Sequence, residues 1–141
     1  MTYLRHKATI GVALITCFAI TLISGIVLHL KKHGIVAEPR EIIKIIHWVS
    51  GLAMCVLAVV HGKQLGKVLT AMSKKYKWFY YASIILNVLL GLTFLTGTVK
   101  LLSPVKIPHL GLWHYFIGIA MSVAAVVHLI RGIPSLLRMV K

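Results

Sequence analysis

"HWVSGLAMCVLAVVH", residues 47–61, begins and ends on histidine and is otherwise almost entirely apolar. A segment this greasy is built to meet lipid, where an ionisable side chain is costly unless it has a task. Fourteen residues is close to four helical turns, so both imidazoles return to nearly the same face, about 21 Å apart along the axis. A second copy lies downstream. "HYFIGIAMSVAAVVH", residues 114–128, matches the first at nine of fifteen positions, both histidines included.

The repeat extends to the preceding helices. "TLISGIVLHL" (21–30) resembles "TFLTGTVKLL" (93–102), pairing Gly25 with Gly97, and the same offset pairs Gly11 with Ser83. The chain therefore reads as one helical hairpin present twice. Val and Ala abound in membrane spans and inflate such similarity, but they do not place histidines at both ends of both even-numbered helices.

Composition fits this reading. The chain has 141 residues, enough for one domain, and 59% of them are hydrophobic. Its mean hydropathy is +0.92, beyond what a water-soluble core needs. Four stretches, about 8–30, 42–61, 79–99 and 109–130, are long enough to cross a bilayer at about 1.5 Å per residue. The first is too long for a secretory signal and lacks a small-residue cleavage site, so it reads as the first span. The expected fold is an all-α, up-down four-helix transmembrane bundle forming a single domain, residues 1–141.

Sixteen Lys and Arg stand against two acids. Their placement in tails and connections speaks for a membrane surface and against nucleic acid. Alternating topology puts ten on one side: Arg5, Lys7, the five lysines between the second and third spans, Arg131, Arg138 and Lys141. Lys31, Lys32, Arg40, Lys44, Lys100 and Lys106 make six on the other. The larger group marks the cytoplasmic face, so both termini are expected inside. The outer connections 31–44 and 100–108 carry Gly and Pro breakers. The lysine-rich stretch 62–78 reads either as an extension of helix two or as a surface segment. The tail from Pro134 reads as a short interfacial helix.

In an up-down bundle, helices two and four run in the same direction. His47 is then level with His114 and His61 with His128, one pair near each membrane surface. A pair of neutral imidazoles suits several metals. Zinc usually takes three or four protein ligands, and neither Cys nor carboxylate stands at these levels. Two imidazoles alone suit an iron whose other four ligands come from a porphyrin. No CxxCH is present, so haem attachment would be non-covalent. The small residues Gly11 and Gly25, and Ser83 and Gly97, share the histidine levels and would admit a flat macrocycle. Helix–helix packing and hydrogen bonding are the ordinary alternatives for such glycines and histidines.

His-x13-His on helices two and four, with the small residues at matching spacing on one and three, resembles the dihaem four-helix core of the b-type cytochromes. The cytochrome b subunit of quinol–cytochrome c oxidoreductases is the best-known case. The residues carrying the resemblance are His47, His61, His114, His128, Gly11, Gly25, Gly97 and Ser83, the last departing from glycine. The later helices and quinol motifs of the large cytochrome b are missing. The "SGIVLHL … HWVSG … VVHG" pattern also looks like the small flavinylation-associated cytochromes, membrane electron conduits beside separate flavin or cytochrome partners.

The expected function is transmembrane electron transfer through two bis-histidine b haems, as a subunit of a larger oxidoreductase in a prokaryotic cytoplasmic membrane. Flavin-, iron–sulfur- or haem-containing subunits and quinone are the candidate partners. A self-contained quinone-coupled reductase or oxidase and a histidine-lined metal transporter are the alternatives. Lys44, one turn before His47, and Arg131, one turn after His128, either pair with haem carboxylates or snorkel to the interface. Glu38 and Glu41 either serve proton transfer, with His33 or His109, or neutralise nearby cations. Cys17 and Cys55 read as small core residues.

Overall fold

The computed structural model describes residues 2–34, 40–75 and 77–140, with side chains described for 8–34, 41–64, 66, 77–78 and 80–134. It contains four helices: α1 (Thr2–Lys32), α2 (Arg40–Lys75), α3 (Lys77–Leu102) and α4 (Leu110–Val140). Each holds a stretch long and apolar enough to cross a membrane: Ala8–Lys32, Glu41–Gln64, Tyr80–Leu102 and Leu110–Pro134. Lipid offers no hydrogen bonds, so a spanning chain must pair its backbone within itself, and a helix does this segment by segment. The protein is an all-α integral membrane protein.

Burial follows the logic of lipid rather than water. Ile23, Val56, Val59, Leu95, Val123 and Ile130 all stand exposed, whereas Ser24 and Ser50 are buried. Apolar side chains face outward and small hydroxyls face the helix contacts, as expected where the solvent is itself apolar. The hydroxyls are satisfied locally: Thr16, Thr21, Ser24, Thr93, Thr96 and Ser122 each donate to the carbonyl four residues back. Among the described residues, no buried side-chain nitrogen or oxygen lacks a partner.

The chain divides into two compact units, Met1–His61 and Gly62–Lys141. In the first, α1 and α2 pack antiparallel. Gly25 lies against His47, and one turn back along α1 Thr21 lies against Gly51, one turn on along α2. The second unit repeats this register: Gly97 meets His114, Thr93 meets Gly118, and Lys100 meets Gly111. Met54 and Met121, at equivalent places in the repeat, are each 5% exposed. The glycine–histidine and threonine–glycine contacts of the first hairpin thus recur at equivalent positions of the second.

The hairpins differ at one polar contact. Thr21 Oγ1 and Ser50 Oγ lie 2.8 Å apart, joining α1 to α2, whereas Ile117 occupies the position equivalent to Ser50. Ser50→Ala should therefore destabilise the first hairpin by about 0.6 kcal/mol, the usual worth of an interhelical hydrogen bond in a membrane. A shift in denaturant midpoint for Ser50→Ala, and none for Ile117→Ala beyond its lost packing, checks this.

Both connections stop helices by backbone chemistry. After α1, the Gly34 N–H donates to Lys31 O at 3.0 Å, with Gly34 at φ 76°, a left-handed cap that suits glycine. After α3, "SPVKIPH" (103–109) interrupts the helix with two prolines. His109, at φ 61°, then accepts N–H donation from Leu112 and Trp113 to open α4. Two sequence expectations are resolved here. The stretch after His61 extends α2 as far as Lys75. The tail is not a separate interfacial helix: α4 runs unbroken to Val140 with Pro134 inside it. Proline removes one N–H, the one that would have reached the Ile130 carbonyl, and the neighbouring turns carry the helix through.

Candidate metal-ligating histidines

At the loop end of the first hairpin, His47 is half-buried against α1. Its Nδ1 lies 2.9 Å from the Thr21 carbonyl oxygen and 3.1 Å from Ser24 Oγ. A carbonyl can only accept, so Nδ1 carries the proton and donates. Ser24 Oγ itself donates to Ile20 O at 2.7 Å, which leaves its lone pairs to accept from the imidazole. In the neutral ring, the lone pair then resides on Nε2.

The second hairpin reproduces this arrangement. His114 Nδ1 lies 3.1 Å from the Thr93 carbonyl oxygen and 3.1 Å from Thr96 Oγ1, while Thr96 Oγ1 donates to Leu92 O at 2.8 Å. Thr21 and Thr93, and Ser24 and Thr96, are equivalent positions in the repeat. The sequence reading passed over these four residues. Their signal was the shared Thr-x-x-(Ser/Thr)-Gly in both odd helices.

Gly25 and Gly97 have a role more specific than the one expected of them. A Cβ on Gly25 would lie 3.0 Å from His47 Cε1 and 3.4 Å from its Nδ1. A Cβ on Gly97 would lie 2.9 Å from His114 Cε1 and 3.4 Å from its Nδ1. For a side chain to fit, the ring must give by a few tenths of an ångström at Gly25, and something must shift at Gly97. In the structure the protein group against each of these glycines is the imidazole of the facing helix. The glycine admits the ring, and the hydroxyl and carbonyl one turn away fix its rotation and tautomer.

At the open ends of the hairpins, His61 is half-buried and His128 exposed. Gly11 is half-buried on α1, just after buried Ala8 and Ile10, and Ser83 is half-buried on α3. Arg131 is exposed one turn beyond His128. Lys44 donates to Glu41 at 3.2 Å, both side chains being well exposed. Glu41 thus neutralises a neighbouring cation, and a solvent-exposed pair of this kind is weak enough for Lys44 to exchange partners. Glu38 and the side chain of His6 lie outside the described residues. Cys17 and Cys55 are free thiols and only half-buried.

Among the described residues, no three His, Cys, Asp or Glu side chains converge on one point. His47 and His114 instead each stand against the facing helix of their own hairpin. A metal-ligating histidine characteristically donates its second ring nitrogen to a carbonyl, which fixes the tautomer and raises the basicity of the ligating nitrogen. His47 and His114 meet that requirement, so they fit a metal whose remaining ligands come from a cofactor. Comparison with protein-family models, curated proteins and solved structures finds no match.

Proposed function

We propose that this chain is a dihaem b-type membrane cytochrome, in which His47 and His114 would hold one haem and His61 and His128 the other. The observation that carries this reading is the Nδ1–H donation to a backbone carbonyl, made by His47 to Thr21 and by His114 to Thr93. It puts the lone pair of each imidazole on Nε2, the nitrogen that would ligate iron. When bound, haem iron supplies reversible one-electron transfer. The protein's part is to hold each imidazole in one rotation and one tautomer, so that ligation changes little between redox states. Gly25 and Gly97 do this by admitting the ring, Ser24 and Thr96 by hydrogen bonding beside it. With two histidines holding each haem, the group would carry electrons rather than bind a small molecule at the metal.

On this reading the chain carries electrons between partners at opposite membrane faces, as a subunit beside flavin-, iron–sulfur- or haem-containing proteins, with quinone as a further candidate. A pyridine haemochrome assay on purified protein tests it. About two haem b per chain is the expected result for four ligating histidines, and colourless, haem-free protein would favour a histidine-lined transporter. Orientation has its own test. With ten Lys and Arg assigned to one face and six to the other, a C-terminal reporter should be active in the cytoplasm. An external C-terminus would reverse the direction in which the two haems are ordered.

A further inference from the structure

Outside the repeat, a second pair of imidazoles stands at the end of α1, His29 in its last turn and His33 in the turn that follows Lys32. The rings of His29 and His33 lie with centroids 4.8 Å apart and planes tilted by 56°. The equivalent positions of the second hairpin are Leu101 and Val105, so this pair is particular to the first. A spacing of four residues puts both side chains on one face of a helix, one turn apart. It is the spacing at which two imidazoles can close on one ion.

The backbone beneath them is held. His33 N–H donates to Leu30 O at 3.1 Å and Gly34 N–H to Lys31 O at 3.0 Å, so the last turn is closed under both rings. His29 is half-buried and His33 exposed, which leaves the pair reachable from water. A helix C-terminus carries partial negative charge and favours cations.

We propose that His29 and His33 form a surface site for a divalent transition-metal ion, with Cu2+ the ion held most tightly. Imidazole suits Cu, Zn and Ni, and among the divalent first-row ions Cu2+ binds nitrogen ligands best. Cu2+ also accepts a tetragonal set of two imidazoles completed by water, whereas Zn2+ usually draws three or four ligands from protein. The site is independent of the haem reading: its residues are not the proposed axial ligands, and it needs no electron transfer.

Titrating purified full-length protein with Cu2+, followed by electron paramagnetic resonance, tests the site. The expected signal is axial with superhyperfine structure from two nitrogens. His29→Ala and His33→Ala should each remove one nitrogen and weaken binding by about tenfold or more. His109→Ala should change neither, and haem content should be the same in all variants. The double variant His29→Ala/His33→Ala, with its helical circular dichroism intact, is decisive. If it binds Cu2+ with unchanged affinity and an unchanged nitrogen pattern, the site is overturned. Haem-free protein that still shows the two-nitrogen signal would overturn the cytochrome reading and leave the copper site standing.

Discussion

His47→Ala is expected to lower the haem content of the purified protein from about two per chain to about one. The remaining haem should keep its reduced absorption band and midpoint potential, because His61 lies about four turns along α2 from the mutated site. His61→Ala should give the complementary loss. Each single variant should thus remove one spectral component, and together the two variants should account for the whole visible spectrum. The fold should survive His47→Ala, since Thr21 O and Ser24 Oγ, which face the imidazole, sit within α1, whose own hydrogen bonds are untouched. Loss of both haems from a still-helical His47→Ala protein would count against ligation in two separate levels. Retention of both would remove His47 from the ligand set.

Gly25→Leu should displace the same haem by a different physical route. The substituted Cβ would press on His47 Cε1 from 3.0 Å, so the ring must give way to admit the leucine. Either the imidazole rotates off its hydrogen bonds to Thr21 and Ser24, or α1 and α2 separate. Overpacking of this kind costs about 1–3 kcal/mol, enough to unseat a ligand without unfolding a membrane hairpin. Gly97→Leu should act equally on His114, where the contact is 2.9 Å. Ile23→Leu is the control: Ile23 is 63% exposed, and leucine there still faces lipid. Haem stoichiometry and redox titration read the effect. Unchanged spectra and potentials in Gly25→Leu would show that the His47 ring can leave α1 without consequence, and that this glycine serves helix packing alone.

Much of this architecture is legible in one dimension because lipid simplifies the problem. A spanning segment must be apolar, about twenty residues long and helical, so hydropathy alone marks four spans close to those observed. The duplication was equally plain, since fourteen-residue histidine spacing recurs in both even helices. The sequence by itself therefore determined the class, the hairpins and the histidines worth asking about. It could not say what stands against each imidazole, because that depends on the antiparallel register of two helices, which helical periodicity leaves open. Only packing sets Gly25 against His47, brings the Thr21 carbonyl to Nδ1, and so decides which nitrogen carries the proton. The unbroken passage of α4 through Pro134 was likewise undetermined, because a proline's effect depends on whether the turns around it hold. Tertiary structure decided the tautomer, and the tautomer is what turns a histidine at a helix face into a candidate ligand.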